Sequence, residues 1–282
     1  MANAIELFKK YVPILDEVYK LSSLTGVLDG APELAREGMQ ANELVIPIMD
    51  MSGLANYDRN NGYAAGDVTI THETKVCNYD RGRMFQVDSL DDAETAGIAF
   101  GRLAGEFIRT KVVPELDAFR LSAYAGYTGV TVEAASLMTG EDVVGALRAA
   151  ANAMDDAEAP ATERYLFILP SLYGAIQDMD TTSSRAVLDR FAAIIQVPSG
   201  RMNTEVTLTS NGFTADGETI HFIAIHKPAV IQYQKHIAPK VITPEQNQNA
   251  DAWKFGYRNV GIAEVYKSKL KGIYVHTEEP IG

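Results

Sequence analysis

Few residues of this chain have the types and spacing that chemistry needs. Histidines, the commonest general bases and metal ligands, stand at 72, 221, 226, 236 and 276. They are scattered, and His221 and His226 lie five apart on a stretch that reads as a strand, which sends them to opposite faces. Pro170-Ser171-Leu172-Tyr173-Gly174 lacks the glycine that precedes the serine of a nucleophile elbow. Lys267-Ser268 lacks the glycine that stands directly before the lysine of a phosphate-cradling loop. Asp155-Asp156 closes a helical run and faces solvent. Cys77 is the one cysteine, so no intrachain disulfide forms and a multi-cysteine zinc site is excluded. The expectation is a chain with no catalytic residue, no cofactor and no metal.

Bulk properties narrow the class further. At 282 residues and 46% hydrophobic the chain is globular and long enough for two modest domains. Twenty-five basic against 37 acidic residues, a formal charge of −12, argue against a dedicated nucleic-acid binder, which needs a positive field. No uncharged apolar run approaches membrane-spanning length, and the amphipathic start around Lys9 and Lys10 lacks a signal-peptide core. The expected protein is made in a cytoplasm, is not exported and does not enter a membrane.

With no site to organise the chain, the elements themselves carry the information. The most informative is Asp88 to Gly126. Asp88, Asp91, Asp92 and Glu94 crowd a first turn, where carboxylates offset the positive helix end, and Ser89 with Asp92 reads as a capping box. Phe100, Leu103, Phe107, Ile108, Val112, Leu116 and Phe119 recur at helical spacing, with Arg102, Glu106 and Arg109 on a wet side. From Ala93 to Tyr124 the helix would be roughly 48 Å long, with a bend at Pro114. Gly97, Gly101 and Gly105 each cost about 1 kcal/mol in a helix interior, which implies a backbone packed closely along that face.

Before this helix, residues 1–28 read as an arm with the stripe Ile5, Phe8, Val12, Leu15, Val18 and Tyr19. Leu44 to Met49 reads as a strand with Pro47 at a sheet edge. Residues 50–87 alternate turns with strand pattern, the cluster at Tyr57-Asp58-Arg59 and Gly62-Tyr63 and the run Tyr79-Asp80-Arg81-Gly82-Arg83 being turns. A two-stranded ribbon there holds few large apolar residues, so it needs a surface to lie on, and a neighbouring copy would serve. Residues 127–230 read as a compact α/β unit, and 231–282 return to strands.

Taken in order, several phrases resemble the major capsid proteins of tailed bacteriophages, which share the Hong Kong 97-type fold. They are the Tyr11 to Leu28 arm with Ser22-Ser23-Leu24-Thr25, the Tyr57 to Tyr63 cluster, and Phe85-Gln86-Val87-Asp88 leading into the long helix. Further on come Val197-Pro198-Ser199, His226-Lys227-Pro228-Ala229-Val230, Trp253-Lys254-Phe255 and Lys271-Gly272-Ile273-Tyr274. The resemblance implies an α+β capsid fold with an N-terminal arm (1–50), an extended loop (51–87), a peripheral domain with a spine helix (88–127 and 231–282) and an axial domain (128–230). It implies hexamers and pentamers closing an icosahedral phage head around double-stranded DNA, bound without sequence specificity. A separate scaffolding protein, a portal and a decoration protein follow as partners, with assembly in the host bacterial cytoplasm and residence in the virion. The residues it assigns to contacts between subunits are Phe8, Tyr11, Leu15, Tyr57, Asp58, Arg59, Tyr63, Lys75, Tyr79, Arg81 and Arg83. Some relatives cross-link a loop lysine; Lys75 is the loop's lysine here and reads as an ordinary solvated one. An encapsulin-like nanocompartment shell and a cytosolic α/β enzyme are the rival readings.

Overall fold

The computed structural model of the chain describes residues 23–30, 36–37, 43–57, 59, 62–63, 65–94, 98–179 and 181–280. Arg36–Glu37 (β1), Glu43–Met51 (β2) and Val68–Val76 (β3) form a sheet in that order. β2 and β3 pair from Glu43 opposite Val76 to Met51 opposite Val68, whereas β1 reaches only Leu44 and Val45. Pro47 therefore stands where one flank of β2 has no partner strand among the described residues, the place a residue without an N–H is tolerated.

The ribbon thus runs over 43–76 and not over 51–87. Tyr79–Asp88 (β4), half of which was expected as a turn, is one continuous strand of a different sheet. Its turn-like composition has another cause. Gly82 lies so close to the neighbouring strand that a Cβ there would meet the Tyr257 carbonyl at 3.1 Å, and Arg81 is held in an ion pair described below.

Ser89–Glu94 (α1) follows directly. At its start Asp88 accepts from the Leu90 amide (2.9 Å), and the Ser89 hydroxyl donates to the Asp251 carbonyl (3.0 Å). Ile98–Phe107 (α2) continues through five residues of π-helix, Ile108–Val112, into Val113–Ala125 (α3). The widened turn is the form the expected irregularity takes. Pro114 has no amide to give and its ring crowds the carbonyl of Thr110, so the ladder opens just before it. The close packing expected along the glycine face does not occur at Gly105, where a Cβ would meet nothing within 4 Å.

The remaining elements are Thr131–Ala134 (β5), Gly140–Asp156 (α4), Arg164–Ile168 (β6), Pro170–Met179 (α5), Thr182–Leu188 (α6), Ala193–Gln196 (β7), Asn203–Thr209 (β8), Gly212–His226 (β9), Val230–Ile242 (β10), Ala252–Val265 (β11) and Ile273–Thr277 (β12). Antiparallel β10-β11-β4 make a long three-stranded sheet against α2 and α3, with Phe255, Tyr257, Tyr79, Ile108 and Leu116 between them. The larger sheet has the order β5-β12-β9-β6-β7, with β8 paired to β9. It is covered on both faces. Phe222 and Ala224 of β9 pack with Val143, Leu147 and Met154 of α4, while Ile223 and Ile225 pack with Leu121 and Tyr124 of α3 and with Leu28. Burial on both faces is why 222–225 reads as an unbroken apolar run. β12, read from the sequence with the 231–282 strands of the peripheral unit, lies inside this larger sheet, parallel to β5 and antiparallel to β9.

Candidate assembly surfaces

Residues directly opposite in an antiparallel pair share a face. Met49 opposite Ile70 and Met51 opposite Val68 therefore form one apolar patch on the ribbon, and they are 58%, 55%, 62% and 63% exposed. Because the ribbon starts at Glu43, it is richer in apolar side chains than the segment 51–87 suggested. Toward the tip Leu54 is fully exposed, and the exposed Tyr57 and Tyr63 rings meet edge to face with centroids 5.0 Å apart. Arg59 is exposed in the turn between them. Covering side chains that are half exposed is worth about 1 kcal/mol each, so this loop alone offers several kcal/mol to whatever lies on it. Asp58, Phe8, Tyr11 and Leu15 lie outside the described residues.

At the root of the ribbon Lys75 is buried rather than solvated, with 8% of its surface exposed. Its Nζ lies 3.2 Å from Tyr127 Oη, from Glu264 Oε2 and from Glu73 Oε1, and Lys267 Nζ joins the same Glu73 oxygen at 3.1 Å. Burial opposes the charge on Lys75, but the hydrogen bonds to Tyr127 and Glu264 outweigh it and raise the ammonium above its ordinary value. Burial likewise opposes the Glu73 carboxylate, and Lys267 and Lys75 outweigh it to hold that group below its usual range. Three residues after Lys75, the Asn78 carboxamide donates to the Ala263 carbonyl (2.8 Å) and accepts from the Ala263 amide (3.0 Å), pairing with β11 as a strand would. The ribbon is thus fastened at its base and bare along its length.

Tyr79, Arg81 and Arg83 use their polar atoms within the chain. Tyr79 is 2% exposed and donates to Glu115 Oε1 (3.2 Å). Arg81 donates to the same carboxylate (2.8 Å) and to the carbonyls of Thr209 (2.6 Å) and Gly212 (3.2 Å). Arg83 donates to the Ser210 carbonyl (2.6 Å). One strand thereby binds both the long helix and the β8–β9 turn. Beside them, between β4, the helix and that turn, lies a groove of about 520 Å³ floored by Phe85, Leu103, Phe107 and Tyr257.

A second clasp escaped the sequence. Asp117, fully buried, accepts from Ser23 Oγ (2.9 Å), Leu24 N (3.0 Å), Thr25 Oγ1 (2.6 Å) and Arg201 Nη1 (3.2 Å). Arg120 donates to Thr25 Oγ1 (3.0 Å), and Gln232 to the Thr25 carbonyl (2.7 Å). The available signal was an Asp and an Arg set inside the apolar run Leu116 to Leu121, charges that a core tolerates only when partnered. His221 and His276, expected apart, meet with Nδ1 atoms 3.2 Å from each other. Among the described residues no group of three His, Cys, Asp or Glu could hold a metal ion, and no helix is long and apolar enough to cross a membrane.

No protein-family model and no curated protein matches this chain. Solved structures do. A virus-like particle from Pyrococcus furiosus is similar at TM-score 0.60 and 13% identity, over 93% of this chain and 95% of that one. A structure from Mycobacterium phage Che8 is similar at TM-score 0.57 and 14% identity, over 84% and 85%. The capsid of Cyanophage P-SCSP1u is similar at TM-score 0.57 and 12% identity, over 86% and 85%. Matching these structures over most of its own length and of theirs, the chain has the Hong Kong 97-type capsid fold.

Proposed function

We propose that the chain is a major capsid protein, a structural subunit whose function is to assemble with copies of itself into a closed icosahedral shell. The observation that carries this is the ribbon. β3 is exposed along both faces from Val68 to His72, and a two-stranded ribbon so bare is marginal in water until a surface covers it. A neighbouring copy supplies that cover in a lattice of hexamers and pentamers. Residues 43–76 are then the extended loop, 79–125 with 230–265 the peripheral domain, and 128–226 with β12 the axial domain. Met49, Met51, Tyr57, Arg59, Tyr63, Val68 and Ile70 make the contacts between subunits, with Phe8, Tyr11, Leu15 and Asp58 joining them. Tyr79, Arg81, Arg83 and Lys75 hold each subunit together.

The shell encloses double-stranded DNA without reading its sequence, and the excess of carboxylates suits a wall to which packed phosphates do not stick. A scaffolding protein, a portal and a decoration protein complete the head, which is built in the host cytoplasm and ends as the virion. The test is the mass and shape of the purified chain by size exclusion with light scattering and negative-stain imaging. Closed shells, or capsomers that convert to them, are expected. A small oligomer that no scaffolding partner converts would overturn the reading. DNA in the particles, as against a packaged protein, decides what the shell contains.

A further inference from the structure

The His221–His276 contact is made by an irregularity. β12 pairs with β9 as His276 opposite Phe222 and then Thr277 opposite Ile220, so His221 is the extra residue of a bulge. A bulge re-aims one side chain, and here it turns His221 toward the strand that carries His276. The two Nδ1 atoms lie 3.2 Å apart, His276 is 1% and His221 8% exposed, and the rings stack with centroids 5.3 Å apart. The ring of His276 also stacks on Phe222 at 5.0 Å, and its Nε2 is buried with no partner.

An N–H···N bond between two imidazoles needs one ring protonated on Nδ1 and the other bare there. A second proton on the pair removes the acceptor and leaves two cations in contact with little water between them. Two carboxylates act on the pair, Glu278 on His221 and Glu133 on His276. Glu133 already accepts from the Tyr274 hydroxyl, whose ring stacks on Phe222 beside the pair. Among the described residues neither ring is hydrogen-bonded to a carboxylate that would hold a positive charge.

We propose that His221 and His276 form an acid-operated latch, which holds β12 against β9 while the pair is neutral and loosens it when the pair takes up protons. β12 lies between β9 and the edge strand β5, so its release separates β5 from the rest of the larger sheet as well. The inference concerns the single chain and stands whether or not shells form.

The direction of the pH effect follows from burial. Burial disfavours the imidazolium of His276, with His221 adding repulsion, and pushes it down to about 4. Burial pushes His221 down too. An unfolded histidine titrates near 6.5, so between about pH 6.5 and about 4 the folded chain binds fewer protons than the unfolded one. The latch is fully effective above that window and is lost as pH falls through it.

The test is hydrogen exchange with mass spectrometry on the full chain at about pH 7 and about pH 4.5, corrected for intrinsic rates. Peptides covering 273–277 and 220–225 are expected to lose protection at least about tenfold more than those of β10 and β11, reversibly. His221→Gln keeps an amide donor and acceptor but cannot titrate, and should flatten that difference. Loss of protection at 273–277 that merely tracks β10 and β11, or a His221→Gln chain with the wild-type response, overturns the latch. Should that variant not fold, ¹⁵N-histidine titration of the wild type decides. Two buried rings titrating in coupled steps below about pH 6 support the latch, and independent titration near 6.5 refutes it.

Discussion

Asp117 on α3 receives both the hydroxyl of Thr25 (2.6 Å) and its amide (3.2 Å), so a single buried carboxylate holds the start of the described chain onto the middle of the long helix. Replacing it with alanine leaves two backbone amides, two hydroxyls and part of Arg201 without their acceptor. Asp117→Ala should cost about 3–5 kcal/mol, as breaking a buried charged network does. Urea denaturation reads this directly. A loss under about 1 kcal/mol would mean that water replaces the carboxylate and that the clasp matters little.

The ribbon patch should separate folding from assembly. Met49→Lys with Ile70→Lys places charges where both side chains already face solvent, so the unfolding free energy should change by less than about 0.5 kcal/mol. Assembly should fail, because a docked charge without a partner costs several kcal/mol at every copy. Light scattering compares the two chains. Normal shells from the double variant would remove this face from the contact.

Lys75 tests the root of the ribbon. Lys75→Met keeps the length of the stem but leaves Glu264 without that partner and Glu73 with Lys267, which should cost about 1–3 kcal/mol. Limited proteolysis should then cut within 52–67 faster than in the wild type. Because Lys267 and Lys75 hold the Glu73 carboxyl below its ordinary value, this stability is present above about pH 4.5 and fades as pH drops. The wild type should therefore approach the protease sensitivity of the variant in acid, and a difference that persists unchanged would exclude the charge network as its cause.

Arg81 joins three elements through one guanidinium. Arg81→Lys keeps the charge but cannot reach the Glu115 carboxylate and the Thr209 carbonyl together. A loss of about 1–2 kcal/mol is expected, along with faster hydrogen exchange at the β8–β9 turn. Exchange unchanged at 209–212 would show that β4 does not hold that turn.

How much of this was legible in the sequence depended on how local the cause was. The long helix, the α4, β6 and α5 runs and the β8–β9 hairpin follow from periodicity and turn signals, both of which act within a few residues. The order of short phrases along the chain pointed to the capsid fold for the same reason. What the sequence could not decide was partnership across distance. Tyr79 to Arg83 has the composition of a turn but is a strand, because its arginine and glycine answer to Glu115 and to the Tyr257 carbonyl on other elements. β2 joined the ribbon and β12 the larger sheet through pairings that no local pattern encodes. Lys75 reads as a surface lysine until Tyr127 and Glu264 arrive beside it, and His221 meets His276 only because a bulge turns it. Propensity and hydrophobic period set what each segment is, since those free energies are summed over neighbours in sequence. Which charges are buried, and what they touch, is set by the packed fold, since an ion pair or a bulge contact depends on atoms that approach within about 3 Å only after the chain has closed on itself.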